Sequence, residues 1–383
     1  METFIEMIEG GHEEVVFISH PPTGLRAIVG IHSTRLGPAL GGTRMWPYAS
    51  EAAALKDVLR LSKGMTYKAA VAGLNLGGGK AVIIGDPKRD KSEKLFRAFG
   101  RHIQRLGGRY ITAEDVGICV QDMEWVRKET DFVTGIAEAA GGSGDPSPVT
   151  ALGTYYGILA AAEKVWGEDS VSGRKIAVQG LGHVGYHLVR LLHGAGAELI
   201  VTDIDDALMA KAVKAFDAKA VAPDSIYSVC ADIFAPCALG AVINDETVDR
   251  FQFAIVAGSA NNQLQADRHG ELLRARGIVY APDYVINAGG LISVASELTG
   301  DSRQQVLSRV RGIGETLRSV FAISDREGIS THIASNRLAE KRMAMVRKNG
   351  AATPPLSRVI NKKGRALSAK LPGHLDPVCD KCV

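Results

Sequence analysis

The absences in this chain narrow it first. No apolar run is long enough to cross a bilayer, and Met1 is not followed by a charged-then-apolar leader. The expectation is a soluble, cytoplasmic protein with no membrane partner. Net charge is only +3 over 383 residues, from 45 Lys and Arg against 42 Asp and Glu. That excess is too small to argue for a nucleic-acid partner. Cysteine is scarce: Cys119, Cys230, Cys237, Cys379 and Cys382. The first three sit in apolar contexts and read as reduced core or site-lining thiols. Cys379-Asp-Lys-Cys382 has only His374 nearby, half of a zinc site at best, so no metal is expected. There is no internal repeat. There is also no P-loop, which needs Gly six residues before its Lys and Ser or Thr after it. Around Lys80 those positions are Leu74 and Ala81.

Apolar residues make up 46% of the chain and glycine numbers 43. A large core and many tight turns are therefore available, and the length suggests two domains. Val15 to Ile18 and Leu25 to Ile31, separated by Pro21-Pro22-Thr23-Gly24, predict a hairpin. Leu36 to Arg44 is rich in glycine and reads as a loop, either plain or one where backbone approaches a ligand. Ser50 and Glu51 open a helix expected to end at Gly64. Lys68 then lies just beyond it. Gly77-Gly78-Gly79 reads as a turn leading into Lys80 and the strand Ala81 to Ile84. Two readings of Lys68 and Lys80 stay open here: surface lysines beside a hairpin, or a pair of buried amines with different tasks.

Farther on, Phe96 to Leu106 predicts a helix stopped by Gly107-Gly108. Tyr110 to Ala113 and Phe132 to Gly135 predict short strands. Glu114-Asp115 follows the first of these. Acids at the carboxyl end of a strand are either solvated turn residues or site chemistry. Gly141 to Pro148 breaks regularity and reads as a hinge, with a small-residue helix from Thr150.

The strand Lys175 to Gln179 runs straight into Gly180-Leu181-Gly182-His183-Val184-Gly185 and then a helix. A second strand ends at Thr202-Asp203. Strand, glycine fingerprint, helix and an acid about 20 residues on make a dinucleotide site. Gly180 forms the turn, Gly182 admits the pyrophosphate, and Gly185 lets the helix lie on the strand. The helix N-terminus favours the anion. Asp203 would bond a ribose hydroxyl and repel a 2′-phosphate. Ile204, Asp205 and Asp206 follow rather than an Arg, so NAD is favoured over NADP. Later strands end at Pro236-Cys237-Ala238 and at Ala260-Asn261, on the same edge. Leu291 and Val294 lie one helical turn apart, and a basic helix runs from Ser330 to about Lys348.

Several of these segments are specific beyond the fingerprint: Leu36 to Arg44, Lys63 to Lys80, Thr112 to Gly117, Asp145 to Thr150 and Asn287 to Gly290. In them the chain, from about residue 10 to residue 345, resembles the amino-acid dehydrogenases that act on glutamate, leucine, phenylalanine and valine. The resemblance implies an α/β fold: an N-terminal substrate-binding and oligomerisation domain over 1–140, and a Rossmann-type NAD domain over 141–329. A helix over about 330–350 would return to the first domain, and 351–383 would be a mobile or docked tail.

It also implies roles. Lys68 would anchor the substrate carboxylate, Lys80 would act as base, and Asp115 would handle the amino group's protons. Gly41, Gly42, Met65 and Asn261 would contact substrate, with Leu40, Ala113, Leu291 and Val294 as the side-chain pocket. Cofactor would meet Thr150, Gly180 to Gly185, Asp203, Ile204, Cys237, Ala238, Ala260 and Asn261. No pocket residue can pair with a second carboxylate, which disfavours glutamate. Where leucine-acting members usually carry valine, this chain has Leu291. The expectation is a homo-oligomeric dehydrogenase of branched-chain L-amino acids, leucine before valine and isoleucine, yielding 2-oxo acid and ammonium. The alternatives are an aromatic amino-acid dehydrogenase on the same scaffold and a catalytically silent NAD-binding module.

Overall fold

The computed structural model describes residues 3–136 and 142–348. Cys379, Cys382, His374 and the tail lie outside them. Helix α1 (Thr3–Gly10) precedes the hairpin β1 (Glu14–His20) and β2 (Leu25–Ser33). Then come β3 (Ala39–Trp46), α2 (Glu51–Val71), β4 (Gly77–Ile84), α3 (Glu93–Arg105), β5 (Tyr110–Glu114) and α4 (Val120–Arg127). Their sheet has the order β1-β2-β4-β3-β5. β1 and β2 run antiparallel, and β3, β4 and β5 are mutually parallel.

This sheet is covered on both faces. Alternation along β4 sends Val82 toward α2, where it packs with Leu55, Val58 and Leu59. Ala81 and Ile83 point the other way, to Phe96, Phe99 and Ile103 of α3. Phe96 and Phe99 are fully buried, each stabilising the fold by roughly 1.5–3 kcal/mol relative to exposure.

Four expectations need correction here. Leu36 to Arg44 is not a loop: from Ala39 it is β3, between β4 and β5. Helix α2 does not stop at Gly64 but continues to Val71, so Lys68 lies in its last turn. Gly77-Gly78-Gly79 is not a turn but the first half of β4, and Lys80 sits mid-strand, paired with Gly30. Phe132 to Gly135 is no strand but a single bridge from Val133 to Thr112. In β3 and β4 it was the glycines that misled. They read as turn formers, yet their work is close packing. A Cβ on Gly41 would lie 1.8 Å from the Gly79 carbonyl oxygen, and one on Gly78 would lie 2.0 Å from the Thr66 nitrogen.

The second half opens with α5 (Ser147–Trp166), already helical three residues before Thr150. Its sheet begins by alternating strand and helix, β6 (Lys175–Gln179), α6 (His183–Gly194), β7 (Glu198–Thr202), α7 (Asp206–Phe216) and β8 (Lys219–Ala220), and continues through β9 (Ile233–Pro236) and β10 (Ile255–Val256) with no α-helix between. Helix α8 (Arg268–Ala275) leads to β11 (Val279–Tyr280). All pairings are parallel, in the order β11-β10-β9-β6-β7-β8. The order reverses between β6 and β9, so a crevice opens beyond the carboxyl ends of those two strands.

Short α9 (Asp283–Ile286) and α10 (Gly289–Thr299) follow, then α11 (Arg303–Glu327) and α12 (Thr331–Lys348). Helix α11, not expected from the sequence, is capped at Ser302 by a reciprocal box with Gln305. One apolar cluster joins the halves, running from Leu40, Ala69, Leu74 and Ile111 into Ala151, Leu291, Ile292 and Leu317. No helix among the described residues is long and apolar enough to cross a membrane.

Candidate active site

Three elements of the first half converge on one half-buried carboxylate. Lys80 from β4 is 6% exposed, and its Nζ lies 2.9 Å from Asp115 Oδ2, just past β5. Arg44 from β3 reaches the same oxygen through Nε at 3.0 Å. Burial alone would raise the Asp115 pKa. Lys80 and Arg44 more than offset that and hold it below the ordinary carboxylate value. Thr43 and Thr112 share a hydroxyl hydrogen bond of 2.6 Å, and the Tyr110 hydroxyl donates to the Gly41 carbonyl at 2.6 Å. Together these pin β3 to β5 beneath the site.

Lys68 approaches from above. By alternation Gly78 and Lys80 share the α2 face of β4. Without a side chain at Gly78, α2 settles onto the strand with Thr66 against it, which brings Lys68 within electrostatic range of Lys80. Burial pushes Lys68 down to about 8; Asp283 of α9 and Asp115 resist that shift, and Lys80 adds to it. Between the two amines, the site therefore pairs Lys80 with a carboxylate and makes Lys68 easy to discharge. An arriving anionic group would favour the charged form of Lys68.

The remaining first-half candidates gather beside these groups. Gly42 is paired with Ala113, and a Cβ on it would lie 2.8 Å from Asp115 Cβ. Met65 is next to Gly41. Leu40, Leu291 and Val294 pack into the one apolar cluster that joins the halves. Ala113 is buried but outside that cluster. From the second half, Asn261 is exposed, and its Oδ1 accepts from Asn287 Nδ2 at 2.8 Å. Asn287 also donates to the Ser259 carbonyl at 3.0 Å, so it fixes the orientation of the Asn261 amide.

The other candidates surround the crevice beyond β6 and β9. Gly180 has φ +93°, and a Cβ there would meet Ala238 at 2.7 Å. Gly185 packs against the Gly180 carbonyl, where a Cβ would lie 1.9 Å from the oxygen. Gly182 is the N-cap of α6, and a Cβ on it would meet nothing within 4 Å. Two glycines thus serve the fold, and the third leaves open space at a helix N-terminus, where free N–H groups suit a pyrophosphate. Asp203 Oδ2 accepts from Leu181 N at 2.5 Å, and its Oδ1 from Asp205 N at 2.9 Å. The side chain of Ile204 is solvent-exposed.

Cys237 N bonds the Gln179 carbonyl at 2.7 Å and Ala260 N the Pro236 carbonyl at 2.9 Å. His183 is exposed and faces Asp145 at 3.9 Å; Val184 is half-buried beside it. Thr150 stands apart from the loop: its hydroxyl donates to Pro146 O at 2.9 Å, and it packs against Gly290. The chain's own groups therefore fit a bound dinucleotide.

Sequence reasoning gave no role to Arg44, Asp57, Asp283 or Asn287. Arg44 had a usable signal, because an Arg inside a strand as apolar as Ala39 to Trp46 needs a buried counter-charge. Asp57 and Asp283 had none, since α2 and α9 deliver them to their partners only through tertiary packing.

A doubly wound parallel sheet with an open glycine at a helix N-terminus, next to a buried lysine paired with an aspartate on a second sheet, defines a two-part dinucleotide-dependent oxidoreductase. The profile of the Glu/Leu/Phe/Val dehydrogenase dimerisation domain matches residues 12–132. That of Glutamate/Leucine/Phenylalanine/Valine dehydrogenase matches residues 141–212 and 202–349. The chain belongs to this family of amino-acid dehydrogenases. It is 58% identical to a leucine dehydrogenase of Bacillus cereus over 353 residues, 92% of this chain and 96% of the relative. A phenylalanine dehydrogenase of Caldalkalibacillus thermarum is 49% identical over 346 residues, 89% and 93%. Among solved structures, L-tryptophan dehydrogenase from Nostoc punctiforme superposes with a TM-score of 0.80 at 45% identity, covering 90% of this chain and 99% of that one.

Proposed function

We propose that the protein catalyses the reversible NAD-dependent oxidative deamination of branched-chain L-amino acids, leucine before valine and isoleucine. The observation that carries this reading is Lys68 and Lys80 flanking Asp115, beside an apolar wall of Leu40, Leu291 and Val294 that offers no charge to a second carboxylate. The identity of 58% to a leucine dehydrogenase against 49% to a phenylalanine dehydrogenase supports the branched-chain choice.

In this scheme the substrate carboxylate docks on protonated Lys68. Gly41, Gly42 and Met65 border the Cα region, and the Asn261 amide orients the amino group. Asp115 accepts the amino group's proton. NAD, when bound, supplies the hydride acceptor for the Cα hydrogen. The resulting iminium takes up a water that Lys80, with its own proton given up, deprotonates. Collapse of the carbinolamine releases ammonia and leaves the 2-oxo acid. Residues 1–140 hold the substrate and the oligomer contacts, 141–329 hold the cofactor, and 330–350 return to the first half. The family's dimerisation domain supports a homo-oligomer.

NAD is preferred over NADP in this reading because Asp203 would repel a 2′-phosphate, and Ile204, Asp205 and Asp206 follow it rather than an Arg. Gly180 to Gly185, Ile204, Cys237, Ala238 and Ala260 would hold the dinucleotide, with its pyrophosphate at the N-terminus of α6. Thr150 stands on the nicotinamide side. Free thiols at Cys119, Cys230 and Cys237 fit a reducing, cytoplasmic setting.

The test is NADH formation at alkaline pH with L-leucine, L-valine, L-isoleucine, L-phenylalanine and L-tryptophan. Turnover is expected with the branched-chain substrates, leucine highest in kcat/KM. No NADH from those three would overturn the proposal. Turnover confined to the aromatic pair would replace it with the second reading, which the similarity to phenylalanine and tryptophan dehydrogenases favours.

A further inference from the structure

Arg44 is the one cation of the site that the scheme above leaves without a task. Its side chain is 21% exposed, and it bridges two acids: Nε to Asp115 Oδ2 at 3.0 Å and a terminal nitrogen to Asp57 Oδ2 at 2.9 Å. Asp57, on α2, is itself held. The Tyr48 hydroxyl donates to its Oδ2 at 2.7 Å, and Arg60 reaches its Oδ1 at 3.0 Å. The result is a chain of alternating charge, Lys80–Asp115–Arg44–Asp57–Arg60, from the buried amine to the surface, where Arg60 is 54% exposed. Arg44 stands two residues beyond Gly42, on the same face of β3, and Gly42 is the residue whose missing Cβ makes room for Asp115.

A guanidinium does not give up its proton at any working pH, so this chain is not a proton wire. Its value lies in being fixed. Both cations sit on Oδ2, leaving Oδ1 as the oxygen neither takes. When Lys80 becomes neutral to act as base, Asp115 loses one of its two cations while still largely buried. A carboxylate left alone there would take up a proton or swing toward solvent.

We propose that Arg44, buttressed by Asp57 and Tyr48, is a positioning residue that holds Asp115 in place when Lys80 is uncharged, and keeps it ionised until it takes the amino group's proton. This rests on the dehydrogenase reading above and extends it to a residue that touches neither substrate nor cofactor.

The test uses the full chain. Arg44→Ala should lower kcat on the order of 10²-fold, the scale of one mis-set acid–base group, with KM for NAD unchanged. Added guanidinium at sub-denaturing concentration should recover activity, and equimolar urea, of similar shape but uncharged, should not. Arg44→Lys should recover part of the loss. An Arg44→Ala enzyme with parental kcat, or rescue by urea as good as by guanidinium, would overturn the proposal. If Arg44→Ala does not fold, Arg44→Lys and Asp57→Asn decide: parental kcat in both overturns it, and a loss in both upholds it. A parent inactive on every amino acid defeats the dehydrogenase reading and this one together. An active parent indifferent to Arg44 defeats this one alone.

Discussion

Glycine does opposite work in the two halves. In the first, Gly41, Gly77, Gly78 and Gly79 border the lysine pair, and each missing Cβ is replaced by the protein's own atoms: the Gly79 carbonyl, the Ser33 carbonyl, the Thr66 backbone and the Tyr110 ring. In the second, Gly180 and Gly185 are filled in the same way, but Gly182 faces open space. A glycine filled from within sets how tightly elements approach. A glycine left open at the N-terminus of a helix beyond a strand, as Gly182 is, leaves room there for another group. The first half is therefore a tightly packed platform that presents charged side chains, and the second a rim that presents bare backbone.

Predictions follow by attacking each side. Lys80→Ala removes a side chain from the platform without touching the rim. It should lower kcat by about 10³-fold or more, within the range of general-base losses, while NADH fluorescence titration shows parental cofactor affinity. Weakened NADH binding would show that the two halves are not separable.

Gly78→Ala drives a Cβ to 2.0 Å from a backbone nitrogen. It should destabilise by roughly 3 kcal/mol, the cost of overpacking, read by urea unfolding. A stability equal to the parent's would mean that α2 does not rest on β4 as described.

Gly182→Ala should leave that stability within about 0.5 kcal/mol, as expected where nothing is crowded. Its mark should be a KM for NAD about 10-fold higher, near the 1.4 kcal/mol that a tenfold change represents. Unchanged KM would deny that the open space is used.

The pH dependence separates the halves more gently. Lys68 has its pKa pushed down to about 8, so it is charged below that pH and loses its proton above it. KM for the amino acid should rise as pH passes upward through about 8, with KM for NAD flat. Lys68→Gln should raise KM at every pH and abolish its slope.

The smallest effect on turnover is expected from Leu291→Val, on α10 of the second half but facing the shared apolar wall. It should change the leucine-to-valine ratio of kcat/KM by about 1–3 kcal/mol, the scale of one methylene, with kcat on leucine largely kept.

The same contrast explains what could be read from the residues alone. The second half was legible almost to the strand, because alternating apolar runs and a glycine fingerprint are local patterns. In the first half the fold class and the hairpin at Pro21 were legible, but β3 and the start of β4 were not. Leu40-Gly41-Gly42 and Gly77-Gly78-Gly79 have turn-like composition, and only the neighbours that fill their missing side chains make them strands. Lys68, Lys80 and Asp115 were singled out by motif. That Arg44 and Lys80 share one oxygen of Asp115 depends on three strands meeting in register, which no window of sequence contains.

The last helix bears on how the protein comes to exist in a cell. Arg342 of α12 donates to the carbonyls of Ala69 and Ala70 at 3.2 and 2.7 Å and to Asn75 Oδ1 at 3.1 Å, and the Tyr67 hydroxyl donates to Glu340 at 2.9 Å. These bonds close the carboxyl end of α2, the turn that carries Lys68, with residues translated more than two hundred positions later. A ribosome that has released the first sheet has made every side chain of the charged platform but not the clamp that holds its anchoring lysine. Competence thus arrives with the final stretch of synthesis, and a message cut short before α12 yields a chain with the chemistry written in and its anchor loose.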